Sequence, residues 1–261
     1  MTLTSSSPSG SDLTLPRILC LHGGGTNARI FGAQCRALRR QLGPSFRLVF
    51  ADAPFPSPAG PDVTSVYGDS EWGPFRSWFP AHAATTPATL DEHAIASLDA
   101  WLASAIRDDD GLGATGKLIG LLGFSQGAKV AGSLLLRCQR QRRHASSSSS
   151  NGDGCPRLTD VCFAVLLAGR APLLSMDATS SDAHPDVLTL PTVHVHGLND
   201  AGLSLHRDLL HRCCDAGTAR LVEWDGDHRV PIKTGDVAAV VAEVLAVAYE
   251  TGALVSGHSP F

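Results

Sequence analysis

The sequence predicts an α/β fold in which helices cover both faces of a mostly parallel, doubly wound sheet. Six short apolar runs, each bounded by Gly, Pro or Asp, are typical of buried strands. Helical patterns lie between several of these runs, and alternation of strands with helices indicates parallel βαβ units. Hydrophobic residues make up 43% of the 261 residues, which is enough for one sizeable core. A single α/β domain of about 250 residues is common.

The predicted elements follow one another regularly along the chain. Strands are predicted over residues 17–22, 46–52, 117–124, 161–168, 192–196 and 219–224. Helices are predicted over residues 30–42, 90–106, 126–137, 203–213 and 236–249. Thr89 and Glu92 have the spacing of a capping box, in which two side chains satisfy free backbone N–H groups, and we expect them to open the second helix.

The chain is predicted to contain one domain, with flexible segments at both ends and one flexible insertion. Residues 1–15 are polar and Ser-rich, lack the regions of a signal peptide, and are predicted to be disordered. Residues 16–250 form the predicted domain, and residues 251–261 form a C-terminal tail. Within the domain, residues 137–157 hold a basic cluster followed by five serines. Such a segment buries too little apolar surface to offset its ordering entropy, so we expect a flexible surface insertion.

Composition and charge exclude several classes of function. The chain has 25 acidic and 21 basic residues, a formal net charge of −4, so we expect no nucleic-acid partner. The longest apolar stretch, residues 237–255, contains Glu243 and Glu250, which predicts a packed helix and no membrane span. Seven cysteines without Cys-x-x-Cys pairs or metal-ligand spacing indicate reduced thiols, a cytoplasmic location and no bound metal.

The segment Gly123-Phe124-Ser125-Gln126-Gly127 matches the pattern G-x-S-x-G. An apolar run leads directly into Ser125 and a helical pattern follows it, which is the strand–turn–helix setting of a nucleophile elbow. The positive end of the following helix would lie near negative charge that develops during reaction. We therefore expect Ser125 to be a catalytic nucleophile.

A serine hydroxyl needs a base at neutral pH, and in this setting the order along the chain is Ser, then Asp or Glu, then His. His228 follows a predicted strand in a Gly-containing loop and is the expected base. Six other histidines after the serine are expected in a strand, on a partly exposed helix, in the insertion or in the tail: His194, His196, His206, His211, His144 and His258. His184 also follows the serine, outside the predicted strands and helices.

The orienting acid should lie between Ser125 and His228, just past a strand. Asp200 has that position, at the carboxyl end of a predicted strand, where an open α/β sheet gathers its functional groups. It would hold the imidazole in the correct tautomer and stabilise the imidazolium. Asp225 and Asp227 are alternatives because they are close to His228 in sequence.

The first predicted strand ends in His22 and three consecutive glycines, Gly23–Gly25. Glycines allow a backbone turn that no bulky residue could make, and such a loop offers an N–H group to an oxyanion. We expect the N–H groups of Gly24 and Gln126 to form the oxyanion hole, with Gly25 or Thr26 as alternatives to Gly24. His22 is expected to fix the loop.

An aromatic cluster lies in the Pro- and Gly-rich stretch between the second predicted strand and the second predicted helix. Its members are Trp72, Phe75, Trp78 and Phe79. An apolar wall over the elbow would favour an acyl chain, so these four residues are candidates for substrate contact. The alternative is that the cluster only packs in the core.

Together, the segments LCLHGGGTNARIF, FADAPF, GPFRSWF, GFSQGAKVAG, HVHGLND and GDHRVP resemble the fungal serine-hydrolase family of the α/β-hydrolase superfamily, in the family's order. The resemblance covers residues 16–248 and is strongest to trans-acting thioesterases of fungal polyketide biosynthesis. It implies the α/β-hydrolase fold and a triad of Ser125, Asp200 and His228. It also implies an acyl substrate and release of a polyketide acyl chain from the carrier domain of a synthase. Two-step acyl transfer by such a triad requires no cofactor, so we expect none.

Two other functions remain open from the sequence. Related members of the family hydrolyse simple esters, so the chain is alternatively a carboxylesterase for small free esters. A binding protein on an inactive hydrolase scaffold is the second alternative, and retention of Ser125, Asp200 and His228 argues against it.

Overall fold

The computed structural model describes residues 12–60, 63–67, 69–80, 89–145, 158–176 and 187–255. Its centre is a six-stranded parallel sheet with strand order β2-β1-β5-β6-β7-β8, and a separate antiparallel pair consists of β3 and β4. The strands are β1 (Arg17–Leu21), β2 (Arg47–Ala51), β3 (Phe55–Pro56), β4 (Arg76–Ser77), β5 (Leu118–Phe124), β6 (Phe163–Leu167), β7 (Thr192–Gly197) and β8 (Ala219–Trp224).

Six of the eight α-helices in the described ranges flank this sheet. The eight helices are α1 (Ala28–Gln34), α2 (Arg36–Leu42), α3 (Val63–Val66), α4 (Asp69–Trp72), α5 (Glu92–Gly111), α6 (Gln126–Ala145), α7 (Leu203–Cys213) and α8 (Thr234–Glu250). Side chains of α5, α6 and α7 pack into one core cluster, and those of α1, α2 and α8 pack into the other. The sheet is therefore covered on both faces, as its continuous apolar strands predict.

The strand order places a topological switch point between β1 and β5. From β1 the chain moves to β2 on one side, and it then returns to add β5 on the other side. The carboxyl ends of strands at such a point border a crevice, which is where open α/β sheets bind ligands. The glycine loop follows β1 and Ser125 follows β5, so both lie at this crevice.

All six predicted strands of the main sheet are confirmed within two residues at each end. Three helix predictions, over residues 30–42, 90–106 and 126–137, are wrong in detail. The helix predicted over residues 30–42 is two helices, which meet at Cys35. The predicted Thr89–Glu92 capping box does not form, because α5 begins at Glu92 and Asp91 is its N-cap. The carboxylate of Asp91 accepts a hydrogen bond from the N–H of Ala94 at 2.7 Å, which satisfies a free donor of the first turn.

The predicted flexible insertion, residues 137–157, is wrong for its first part, because α6 continues to Ala145. Arg137 is buried and its guanidinium donates to both carboxylate oxygens of Asp99, at 3.0 and 2.5 Å. Cys138 and Gln139 are also buried, so this face of the helix packs although the sequence is basic. Residues 146–157, which hold the serines, lie outside the described residues.

The ends of the predicted domain also differ from expectation. Part of the segment predicted to be disordered, Asp12–Thr14, forms a short 3-10 helix, and Asp12 pairs with Arg47 at 3.2 Å. At the other end, Leu254 of the predicted tail packs against the core. Residues 1–11 and 256–261 lie outside the described residues. In the part of the chain that the structure describes, no helix combines the length and apolarity that a membrane crossing needs.

Candidate active site

The turn between β5 and α6 has the geometry of a nucleophile elbow. Ser125 adopts a positive φ of 53°, which is strained for a residue with a side chain, and its N–H donates to Leu167 O at 2.8 Å. A Cβ atom on Gly123 would lie 2.3 Å from Gly127 O, and one on Gly127 would lie 2.2 Å from Leu21 O. Both glycines of the pattern are therefore required, because backbone of β1 and α6 occupies the space of any side chain.

Ser125, His228 and Asp200 form one hydrogen-bonded chain. His228 Nε2 lies 2.9 Å from Ser125 Oγ, and His228 Nδ1 lies 2.6 Å from Asp200 Oδ2. Ser125 and His228 are partly exposed and Asp200 is buried. Three loops at the carboxyl edge of the sheet, after β5, β7 and β8, bring together residues that are up to 103 positions apart.

Asp200 is held in its ionised form by its hydrogen bonds. Its Oδ1 accepts the N–H of Gly202 at 2.7 Å, and its Oδ2 lies 2.9 Å from His206 Nε2 as well as near His228. Burial disfavours the charge, but these hydrogen bonds outweigh it and lower the pKa of Asp200 from 3.8 to about 2. The carboxylate is therefore charged throughout the physiological pH range.

The two alternative acids have other partners. The carboxylate of Asp225 accepts a hydrogen bond from the side chain of Asn199 at 2.8 Å. Asp227 pairs with Arg229 at 3.3 Å on the surface. Of the three candidates, Asp200 is the one that the structure brings to His228.

His22 fixes the glycine loop, as expected. Its Nδ1 lies 2.7 Å from Gly23 O and its Nε2 accepts the N–H of Ala53 at 3.0 Å, so Nδ1 carries the proton. Burial lowers the pKa of His22 to about 4, which keeps the ring neutral and preserves this pattern. Thr26 Oγ1 donates to the same Gly23 O at 2.7 Å, and Trp78 Nε1 donates to His22 O at 2.7 Å.

The glycine loop that follows β1 lies against Gln126, the residue after Ser125. A Cβ atom on Gly24 would lie 3.1 Å from the side chain of Gln126, so these two residues are in direct contact. The Gln126 carboxamide oxygen accepts the N–H of Trp78 at 2.8 Å, which anchors it to the segment after β4. The N–H of Gly25 donates to Arg76 O at 2.9 Å and is therefore not available to an oxyanion. The structure thus favours Gly24 over Gly25.

The predicted aromatic wall is wrong for two of its four members. Trp78 has no exposed surface and Phe79 is also buried, so both are core residues that a substrate cannot reach. Trp78 instead supports His22, as described above. Trp72 and Phe75 are partly exposed, and Trp72 packs beneath the guanidinium of Arg29, which lies 4.0 Å from the ring centroid. Substrate contact by Trp72 and Phe75 stays a prediction.

Sequence reasoning missed His206, which was expected to be partly exposed on a helix. The structure buries it completely, with Nε2 2.9 Å from Asp200 Oδ2 and Nδ1 2.8 Å from Gly169 O. The spacing of His206, Leu209 and Leu210 contained a signal, since residues three and four apart share one helix face. That pattern places His206 on the buried stripe of α7.

Among the residues that the structure describes, one group of three potential metal ligands lies together: Asp200, His206 and His228. Their mutual distances of 2.6 and 2.9 Å are those of hydrogen bonds between the rings and the carboxylate. A ring nitrogen that donates a proton has no lone pair for a metal ion. That the reaction needs no metal or other cofactor stays a prediction.

Comparison with known proteins identifies the family of the chain. The serine hydrolase (FSH1) family profile matches residues 12–240. A probable esterase of Aspergillus terreus is 57% identical over 233 residues, covering 88% of each chain. The esterase pigG of Monascus ruber is 53% identical over 267 residues, covering 94% of this chain and 95% of the relative.

Solved structures share the fold at low sequence identity. Acyl-protein thioesterase 2 of Zea mays has a TM-score of 0.52 and 19% identity, and the match covers 90% of this chain and 94% of the maize chain. A carboxylesterase of Mesorhizobium loti has a TM-score of 0.50 and 18% identity, with 88% of each chain covered. The fold is that of the α/β hydrolases, and the chain belongs to the serine hydrolase (FSH1) family.

Proposed function

We propose that this serine hydrolase cleaves acyl thioesters or esters through an acyl-enzyme on Ser125. The single observation that carries the proposal is the hydrogen-bonded chain from Ser125 Oγ through His228 to Asp200. A serine hydroxyl is a weak nucleophile at neutral pH, and a hydrogen-bonded imidazole with an oriented second nitrogen is what activates it.

In the first step, His228 Nε2 takes the proton of Ser125 Oγ while that oxygen attacks the carbonyl carbon of the substrate. The N–H at His228 Nδ1 donates a hydrogen bond to Asp200. This hydrogen bond fixes the tautomer and stabilises the imidazolium. The imidazolium then protonates the leaving thiol or alcohol. Water, deprotonated by the same Nε2, hydrolyses the acyl-enzyme and releases the acid and free Ser125.

The negative charge on the tetrahedral oxygen needs fixed donors. We assign this role to the backbone N–H groups of Gly24 and Gln126. Contact between Gly24 and the Gln126 side chain, and the anchoring of that side chain by Trp78, support the assignment because fixed donors need no reorganisation during reaction. The removal of one oxyanion donor in a serine hydrolase costs about 10²–10³ in kcat.

The proposed substrate is a polyketide acyl chain on the carrier domain of a synthase. The resemblance of the chain to trans-acting thioesterases of fungal polyketide biosynthesis supports this choice. Partly exposed Trp72 and Phe75 are proposed to contact the acyl chain. The enzyme is proposed to work in the cytoplasm, without a cofactor and without nucleic-acid or membrane partners.

A carboxylesterase for small free esters is the second candidate, and the names of the relatives favour it, since the proteins of Aspergillus terreus and Monascus ruber are called esterases. A panel that compares carrier-bound acyl thioesters with short aryl esters separates the two. A kcat/KM for the carrier-bound thioester that is higher by an order of magnitude or more supports the first, and the opposite ranking supports the second.

Labelling with a fluorophosphonate tests the nucleophile. We expect a covalent adduct on the peptide that contains Ser125 and none on Ser125→Ala, whose turnover should fall by orders of magnitude while its Tm is retained. Active wild-type protein that carries no adduct at Ser125, or turnover retained by Ser125→Ala, would overturn the proposal.

A further inference from the structure

Asp200 Oδ2 is approached by two imidazoles, although the triad uses one. His228 Nδ1 lies 2.6 Å away and His206 Nε2 lies 2.9 Å away. His206 is fully buried on α7, six residues after Asp200, and its ring centroid lies 6.1 Å from that of His228. The acyl-transfer mechanism gives His206 no role.

The partners of His206 determine its protonation state. Its Nδ1 lies 2.8 Å from Gly169 O, and a carbonyl oxygen can only accept, so Nδ1 must carry a proton. Its Nε2 lies 2.9 Å from Asp200 Oδ2, which also only accepts when the carboxylate is ionised. Either neutral tautomer would point a nitrogen lone pair at an oxygen lone pair at hydrogen-bond distance.

The remaining alternative is a neutral His206 beside a protonated Asp200. A proton on Oδ2 would interfere with the hydrogen bond from His228 at 2.6 Å, and Oδ1 already accepts the N–H of Gly202. The hydrogen bonds to Asp200 also lower its pKa to about 2, so the ionised form is the one present at neutral pH.

We propose that His206 is a buried imidazolium that positions Asp200 and offsets part of its negative charge at the catalytic centre. The inference rests on the proposed role of Asp200 in the triad. His206 is a positioning residue, since it touches neither Ser125 nor the reacting atoms. A buried charge requires a partner and hydrogen bonds, and His206 has a carboxylate on one nitrogen and a carbonyl on the other.

The groups around His206 are compatible with one positive charge there. His196, on β7, has its ring centroid 5.6 Å away, and burial lowers its pKa to about 4, so His196 is neutral. The ring of His194 lies next to that of His196, with the centroids 5.9 Å apart, and burial lowers the pKa of His194 to about 3. Two neutral rings therefore do not compete for the proton.

Two further cations, Arg170 and Lys129, and one ion pair lie near α7. The guanidinium of Arg170 packs against Gly202, at the start of α7, on the side of Asp200. Arg207 and Glu223 pair with each other at 3.0 Å on the surface, and Lys129 faces Cys213 at the other end of α7. The positive end of α7 disfavours a cation at His206, so the contact with Asp200 must outweigh this effect.

A cation at His206 has a consequence for His228. During acyl transfer His228 becomes an imidazolium beside Asp200, and a second imidazolium 6.1 Å away opposes that charge. Removal of that opposing charge should therefore change the pH dependence of turnover. In His206→Gln, which keeps a donor but has no charge, the acid limb of the kcat/KM profile should move to higher pH.

Two measurements test the proposal. The first is NMR of the wild-type protein with ¹⁵N-labelled histidine, which requires no substrate. We expect both ring nitrogens of His206 to carry protons at pH 7; one nitrogen without a proton would overturn the inference even if the chain is an active serine hydrolase. Conversely, turnover retained by Ser125→Ala would refute the proposed function and leave this NMR result standing.

The second measurement is the pH profile of ester hydrolysis by His206→Gln, with His211→Gln as the matched control. His211 is an exposed residue of the same helix, and its replacement should leave the acid limb where it is in the wild type. His206→Asn is the second variant if His206→Gln does not fold. An acid limb that stays unchanged in a folded His206 variant would overturn the electrostatic role.

Discussion

Replacing Gly127 by alanine tests the packing that forms the elbow. The new Cβ would lie 2.2 Å from Leu21 O and 2.5 Å from His22 O, whereas carbon and oxygen atoms in contact need more than 3 Å. Both oxygens belong to the backbone at the end of β1, in the interior of the sheet, so neither can rotate away. Either α6 or β1 must shift, and we expect a loss of about 3 kcal/mol, at the upper end of the usual cost of overpacking.

For a domain of this size, that loss corresponds to a Tm lower by about 6–12 °C, measured by calorimetry or circular dichroism. Activity should fall further than stability, because the same shift moves Ser125 relative to His22 and the glycine loop. The matched control is Gly32→Ala in α1, where nothing lies within 4 Å of the new Cβ, and this change should stabilise by about 0.5–1 kcal/mol. A Gly127→Ala protein with wild-type Tm would refute this reasoning.

Three further predictions concern other contacts. Asp200→Asn should lower kcat/KM by about 10²-fold or more. In the wild type, the lowered pKa of Asp200 stabilises the fold by about 2 kcal/mol above pH 4, and this contribution is lost as the pH falls to about 2. The Asn variant lacks it, so urea titrations at several pH values should show the difference. Trp78→Phe leaves the buried His22 carbonyl without its 2.7 Å donor and should cost about 1–3 kcal/mol in chemical denaturation; an unchanged free energy of unfolding would contradict this role. Arg137→Ala leaves the carboxylate of Asp99 without its ion-pair partner and should lower the free energy of unfolding by about 1–2 kcal/mol in the same urea titrations. If residue 137 belonged to a flexible insertion, the free energy of unfolding would not change.

Helix ends and the limits of flexible segments were predicted less well than the strands. Continuous apolar runs bounded by turn residues define a buried strand locally, which is why the six predicted strands of the main sheet agree with the structure. The end of α6 depends on contacts that are distant in sequence: Arg137 is stabilised by Asp99 of α5, 38 residues earlier. The basic segment that begins at Arg137 was therefore predicted to be flexible, because its ion pair with Asp99 is not visible in the local sequence.

The aromatic cluster shows the same limitation in the site. The sequence placed Trp72, Phe75, Trp78 and Phe79 between β2 and α5, but their exposure depends on which faces meet the sheet. Trp78 reaches the backbone of His22 and is buried, whereas Trp72 packs on Arg29 and stays partly exposed. Local sequence does not contain this information.

The order of Ser125, Asp200 and His228 along the chain, each just after a strand, could be recognised without a structure, as could the required glycines. Parallel strands place their carboxyl ends at one edge, so the sequence alone determined that these residues would gather there. The partner of His228 was decided by tertiary structure, which directs Asp225 to Asn199 and Asp200 to the imidazole. The second imidazole on Asp200 also appeared only in the fold, because the charge of His206 is set by the two acceptors that burial brings to its ring.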